Sequence, residues 1–596
     1  MKKKLTAFLL TAAMLCSLMP MAAATSGPDD DTAAGGSDIT ALLNEVSGEG
    51  YTFTTRDQLP EGTEIIEPEI TIGTGNKMSE PTQEIEPTER IKTYSAELPE
   101  QTERAEKAEY TTTKFSSYGA QLSNLVVQTS SKTYAVGKAM KKLYDAYRAD
   151  VRKGANSQCL KDNSDSNMKR FAVTINLSGI NSSNYEDLMG DMEWLTYLSL
   201  DYDTPEMFYS NGYMGISGTY SKTSVTIYFR PMYSAGFTTK SDRTTLNTQM
   251  ENKVKELVNA AADYPRAYDK MQFFHDWLCQ NNSYNHDAVS SDNYSTSVSG
   301  APWSCVGALL SSSNSSVKGP VCEGYSRAFQ LLCQRAGITA TVVTSGSGNH
   351  MWNNLRYGKY WTGVDVTWDD GSENSYNYDY FFQRVNNMSG HVMDDQNFVD
   401  WLEYPELSVV SDWKILPFYD VADAASSSSE FWGKPYIQYV YEQNYMSGLT
   451  CVNFGINTSL TRAQFAQILY SIAGKPEVTY INHFSDVPAG QWYTNAVVWA
   501  DSNDIAHGVS DTRFGVNDAI TREQLALMLY KYMGAPYVEE GYIDSFADAD
   551  EVSDWALTAM NWAVRDGVMN GTNKNELQPT GKATRTATAV MISKVA

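Results

Sequence analysis

The last third of the chain repeats itself, and that repetition limits its fold more than any other feature. The stretch "TSLTRAQFAQILYSIAG" returns as "DAITREQLALMLYKYMG" and, more loosely, as "GKATRTATAVMISKV". The arginines in these copies, Arg462, Arg522 and Arg585, stand 60 and 63 residues apart. Ahead of the second and third copies run "FSDVPAGQWYTNAVVWADSNDIAHG" and "FADADEVSDWALTAMNWAVRDGVMNG". The first copy opens with the shorter "FWGKPYIQYVYEQNYMSG" and reads as truncated. A fixed period with apolar residues at helical spacing predicts stacked helical units that share one core. Thr461 with Gln464, and Thr521 with Gln524, supply the two partners of a capping box; Thr584 is followed by Ala587, which predicts a weaker cap. The units are read as 429–480, 481–541 and 542–596, behind a linker at 421–428.

The other end of the chain is equally legible. Lys2–Lys4, the apolar run to Met19 and the small residues Ala22–Ala24 read as a secretory signal over 1–24. The run is short for a membrane span, so an exported protein with no transmembrane anchor is expected. Residues 25–112 are rich in Glu, Pro and Thr, and between Ser26 and Thr112 acidic residues outnumber basic ones 20 to 6. Such a segment buries too little apolar area to offset its ordering entropy and is predicted to be a disordered acidic linker. The whole chain of 596 residues carries a formal net charge of -25, which excludes nucleic acid and anionic membrane surfaces as partners. Helical spacing in "YAVGKAMKKLYDAYRADV" and "TLNTQMENKVKELVNAAAD", with strand patterns in "RFAVTINLSG" and "SVTIYFRPM", predicts an α+β region over 113–265. Six cysteines follow the signal without C-x-x-C spacing, so neither a zinc site nor a disulfide framework is indicated.

The stretch "GPVCEGYSRAFQLL" sets Cys322 between a Gly-Pro break and an apolar stripe of Tyr325, Ala328, Phe329, Leu332 and Cys333. A thiol at a helix start meets free backbone N–H groups and the positive dipole end, which favour the thiolate. A nucleophilic thiol also needs a base and a group to orient that base. Downstream, "NHMWNNLRYGKYWTGVDVTWDD" reads as two strands about a turn at Tyr357–Gly358. That register sets His350 opposite Asp365, close enough for a carboxylate to fix the imidazole's tautomer. Trp352, Tyr360, Trp361 and Trp368 read as core aromatics. Asp369, Asp370, Glu373 and Asp379 read as a solvated acidic loop, and His275, His286 and His391 as core or surface residues. No metal site and no cofactor is indicated.

In the order "GPVCEGYSRAF", "HMWNNL", "VDVTWDD", these motifs resemble the bacterial transglutaminase-like family with its papain-type Cys-His-Asp triad. The likeness extends over roughly 200–420 and implies a papain-like α+β catalytic core at 266–420. It implies Cys322 as nucleophile, His350 as general base and Asp365 as orienting carboxylate. Met351 stands where the family has alanine, and the Cys322 backbone N–H is a candidate oxyanion donor. The C-terminal units resemble S-layer homology repeats, through "FSDV", "FADA" and the three Thr-Arg pairs. That resemblance implies an all-α three-repeat domain that holds the protein on the cell wall by binding a pyruvylated secondary cell-wall polymer. Arg462, Arg522, Arg585, Trp432, Trp492 and Trp555 are the candidate polymer-binding residues. Gln464, Gln524 and Ala587 depart from the family's glutamate, so the third groove is expected to be the weakest.

The combined expectation is a secreted, wall-anchored thiol enzyme that cleaves or transfers amide bonds in a peptide or protein substrate. Hydrolysis is favoured over amine-accepting crosslinking, and a catalytically inactive surface scaffold is the alternative from another class.

Overall fold

The computed structural model describes residues 117–596 with interruptions, the longer ones within 163–198 and 384–412 and at 291–300; ahead of these it describes Thr54–Thr55, Ile65–Ile66 and Glu69–Ile72. The predicted export signal lies outside the described residues. Among them, no helix is long and apolar enough to cross a membrane. Two compact units result, one from residues up to Ser411 and one from Asp412–Ala596, with Pro265–Ala267 and Tyr357–Lys359 grouping with the second.

The first unit mixes helices and small sheets. Its strands are β1 (Thr54–Thr55), β2 (Ile65–Ile66), β3 (Glu69–Ile72), β4 (Leu125–Gln128), β5 (Thr133–Tyr134), β6 (Phe171–Asn176), β7 (Met214–Ser221), β8 (Ser224–Pro231), β9 (Ala340–Ser345), β10 (His350–Tyr357), β11 (Tyr360–Val364) and β12 (Phe381–Gln383). They form three four-stranded sheets, in the orders β1-β4-β5-β2, β3-β6-β8-β7 and β12-β11-β10-β9. Strict alternation along β8, with Val225, Ile227 and Phe229 buried, is the period-2 signature of a strand with one face on a core. The first three strands fall inside 25–112, where composition predicts a spacer. They pair at sheet edges, β3 antiparallel to β6 and β2 parallel to β5, and so take backbone partners from the folded domain rather than from a core of their own.

The principal helices of this unit are α1 (Gly137–Val151), α2 (Lys240–Ala260), α3 (Ala267–Asn281), α4 (Cys305–Leu310), α5 (Cys322–Arg335) and the short α6 (Val366–Asp369). In α1 the buried residues Met140, Leu143, Tyr144, Tyr147 and Val151 recur every three or four positions, and α2 starts where the Thr239 hydroxyl accepts from the Asp242 N–H. Helix α5 is buried on nearly every side, including its polar Ser326, Arg327 and Gln330. Arg327 pairs with Asp201 at 2.6 Å and Glu323 at 2.8 Å, and the Gln330 amide nitrogen donates to the Tyr202 carbonyl at 2.6 Å.

The second unit holds three helix pairs: α7 (Lys434–Glu442) with α8 (Arg462–Ile472), α9 (Thr494–Ser502) with α10 (Arg522–Tyr532), and α11 (Leu557–Arg565) with α12 (Arg585–Val595). Packing runs between repeats rather than within them. Helix α8 contacts α9, α10 contacts α11, and α12 returns to α7, closing a three-membered ring around one apolar core. Both capping boxes form at Thr461 and Thr521, while Thr584 caps only the Ala587 N–H. The first repeat is not truncated. Its opening is "FYDV" from Phe418, ahead of the residues assigned to it from sequence. The Asp420 carboxylate accepts from the N–H groups of Phe454, Gly455 and Ile456, as Asp486 does from Phe514, Gly515 and Val516. Phe418 packs against Gly448 as Phe484 does against Gly508 and Phe546 against Gly571. Residues 421–423, read as linker, belong to a short helix of this repeat, Tyr419–Asp423.

Candidate active site

Cys322 is the first residue of α5. Val321 before it is extended, and its apolar side chain offers no cap to the N–H groups of the first turn. The close approach that seats this helix depends on Gly324, where a Cβ would fall 2.3 Å from the Pro302 carbonyl oxygen. Ser326 donates to the Met351 carbonyl at 2.8 Å and Asn353 donates to the Ser326 carbonyl at 3.0 Å, locking α5 to β10. His350, the first residue of β10, is thereby held beside the thiol, close enough for the two groups to influence each other electrostatically.

The His350 Nε2 lies 2.5 Å from Asp365 Oδ2, which leaves Nδ1 as the ring nitrogen outside that bond. The three residues singled out from sequence therefore meet, but by a different route from direct cross-strand opposition. The turn falls at Gly358–Lys359, one residue later than expected, and Gly358 takes φ +58° there. Asp365 stands past the end of β11, as the N-cap of α6. Its Oδ1 accepts from the N–H groups of Thr367 at 2.9 Å and Trp368 at 3.3 Å. Burial alone would raise this carboxyl. The His350 charge and the hydrogen bonds from His350 and His391 instead hold it well below the usual range. Burial would likewise disfavour a charged His350, but Asp365, with a smaller contribution from Cys322, pushes its pKa up to about 10.

Two residues not assigned to the site from sequence complete it. His391 Nε2 lies 2.7 Å from the same Asp365 oxygen. Nothing near His391 in sequence marks it, because its position depends on chain folding back after β12. Tyr284 lies close enough to Cys322 to feel both its backbone and its side chain. Its segment is clamped there: the Asn285 N–H donates to Pro320 at 2.9 Å and the Asn285 amide to Gly319 at 3.0 Å. Burial, with Cys322 alongside, raises the Tyr284 phenol above its ordinary range, so it is a neutral O–H at physiological pH. Of the aromatic residues, Trp352 and Trp361 are buried as expected, but Trp368 is 38% exposed and its ring centre lies 5.4 Å from that of His350, on the rim of the site.

Among the described residues, the only cluster able to hold a metal is His350, Asp365 and His391, whose ligand atoms lie within 4.8 Å of one another. Their direct N···O hydrogen bonds already occupy those atoms. Asp369 is not part of a solvated loop. It is buried, bonded to His275 Nε2 at 3.0 Å and accepting from the Tyr380 N–H, and burial pushes its pKa up to about 6. Glu373 lies outside the described residues. His275 is a core residue and His286 is exposed. Cys159, Cys279, Cys305, Cys322, Cys333 and Cys451 are all buried.

In the repeats, Trp432, Trp492 and Trp555 are 64%, 53% and 51% exposed, one per repeat. The three arginines are mainly inter-repeat staples. Arg462 Nε and a terminal nitrogen donate to the carbonyls of Phe514 and His507, Arg522 likewise to Leu577 and Asn570, and Arg585 to Phe454 and Ser447. Burial lowers the pKa of all three, Arg585 to about 10.

Comparison with known proteins bears on this second unit. The S-layer homology domain family matches residues 423–466, 483–526 and 545–589. Similar proteins include an amylopullulanase of Thermoanaerobacterium thermosulfurigenes, 33% identical over 27% of this chain and 9% of its own length. The surface-layer 125 kDa protein of Lysinibacillus sphaericus is 32% identical over 27% of this chain and 14% of its own. The S-layer protein EA1 of Bacillus anthracis is 28% identical over 22% and 15%. The chain thus spans less than a sixth of the length of these relatives, and the likeness to the glycosidase falls in the repeats. Its C-terminal unit consists of three S-layer homology repeats, and the protein is a cell-surface protein associated with the cell wall.

Proposed function

We propose that this chain is a wall-anchored thiol enzyme that hydrolyses amide bonds in wall peptides or surface proteins through a cysteine thioester. One observation carries the reading: a thiol at a helix start lies beside an imidazole whose Nε2 is held by a buried carboxylate. The thiol proton rests on His350 in a thiolate–imidazolium pair, and the Cys322 thiolate attacks the amide carbonyl. The developing oxyanion meets the Cys322 N–H, and the neighbouring Tyr284 hydroxyl supplies a second donor. The C–N bond breaks as His350 returns its proton to the leaving amine. Water, deprotonated by His350, then attacks the thioester, releasing a carboxylic acid and restoring the thiol. An amine in place of water would give crosslinking by the same steps.

The repeats supply the anchor, and an exposed tryptophan in each offers a flat apolar face to a polymer sugar. The glycosidase named among the relatives lends nothing to the central unit, because the matched residues are repeat residues. Full-length protein incubated with wall fragments and a mixed peptide library should release new carboxyl termini detectable by mass spectrometry. Cys322→Ser should accumulate none, and products from Cys322→Ser at the wild-type rate would end the thiol mechanism. For the anchor, the protein should pellet with isolated walls and stay in solution with walls stripped of their secondary polymer; equal pelleting with both would end that reading.

A further inference from the structure

We propose that His391 is a positioning residue that holds the Asp365 carboxylate aimed at His350, so that the site is a four-residue hydrogen-bonded array rather than a triad. The inference rests on the catalytic reading above. Asp365 has four donors arranged in two pairs. The α6 amides of Thr367 and Trp368 hold Oδ1, and the two imidazoles hold Oδ2, His350 at 2.5 Å and His391 at 2.7 Å. A carboxylate pinned at both oxygens can neither rotate away from His350 nor accept a proton without losing a donor. His391 is 2% exposed, and its ring is boxed by Trp352, Trp368 and Tyr380, with centroid separations of 5.0, 4.6 and 5.3 Å. That box leaves its Nε2 facing Asp365. The titratable groups around it are Asp365, His350 and the stacked Tyr380, with Cys322 beyond His350.

Without the second imidazole, Asp365 holds a proton more readily in acid, and the support for a charged His350 fails at higher pH than in the wild type. His391→Phe keeps a ring inside the aromatic box and removes both ring nitrogens, the donor to Asp365 among them; His391→Gln keeps a donor. In the full-length protein, the rate of iodoacetamide alkylation at Cys322 is measured against pH. The acid limb of His391→Phe should move up by about one pH unit, an approximately tenfold loss of rate on that limb. His391→Gln should recover at least half of the displacement. A folded His391→Phe with an unmoved limb overturns the proposal, as does a His391→Gln profile no different from that of His391→Phe. Should His391→Phe fail to fold, His391→Leu carries the same expectation. A wild-type Cys322 that alkylates no faster than a free cysteine peptide defeats the catalytic reading together with this one; a fast wild type with an unmoved variant defeats only this one.

Discussion

Replacing Asp365 by asparagine tests the electrostatic core of the site. The variant keeps the side chain's shape and an oxygen for the Thr367 and Trp368 amides, but it removes the charge and turns an NH₂ toward two imidazoles. In the wild type, His350 is raised from 6.5 to about 10, with Asp365 the principal cause opposing burial. At about 1.4 kcal/mol per pH unit this corresponds to up to about 5 kcal/mol in favour of the imidazolium. Losing half of that, about 2.5 kcal/mol, would lower the population of the thiolate–imidazolium pair by roughly 70-fold. A more basic thiolate is also a better nucleophile, so the rate falls by less, about tenfold. The assay is alkylation of Cys322 by iodoacetamide at about pH 6, followed by peptide mass spectrometry. Rates within about twofold of each other, with both proteins folded, would refute the claim that Asp365 sustains the ion pair. Stability should follow the same logic. The depressed Asp365 pKa contributes stability present above the ordinary carboxylate range and lost as pH falls through its folded value. The raised His350 pKa contributes stability present below 6.5 and lost as pH rises through about 10. The variant should therefore be least stable relative to wild type between those limits.

Gly324→Ala drives a methyl into the Pro302 carbonyl oxygen, 2.3 Å from the new Cβ, and should destabilise the central unit by about 1–3 kcal/mol while slowing Cys322 alkylation, read by thermal unfolding and labelling. Phe418→Ala removes a buried ring that anchors the first repeat and should cost the C-terminal unit about 3–5 kcal/mol in a denaturant titration; an unchanged midpoint would return Phe418 to the linker. Burial pushes Asp370 up to about 7 despite the hydrogen bond from Tyr325, so its charge opposes folding increasingly as pH rises from about 4 through 7. Partly solvated as it is, Asp370→Asn should gain about 1 kcal/mol over wild type at about pH 8 and nothing at about pH 4, measured by unfolding at the two pH values.

Much of this protein is written locally. The capping boxes at Thr461 and Thr521, the buried stripe of α5 and the alternation along β8 follow from short-range spacing, because each pattern concerns neighbours within a turn or a strand. The spacing of the Thr-Arg pairs gave the repeat count for the same reason. The likeness of "FYDV" to "FSDV" was also present in the sequence, but Tyr419 in place of Ser485 and the longer gap to the next helix hid it until Asp420 was seen gripping the Phe454–Ile456 amides.

Tertiary structure alone decided the rest. Cys322, His350 and Asp365 were identifiable as chemistry, yet their meeting depends on where α5 docks against β10 and on Asp365 capping α6 past its strand. His391 and Tyr284 carry no local signal, since what brings each to the site is chain returning from elsewhere in the fold. The arginines of the repeats show the same division: their period is sequential, but which carbonyls hold them is set by the ring that closes α12 onto α7. Periodicity is a property of neighbours along the chain, whereas the partner of a buried donor is a property of packing, and only the folded chain supplies it.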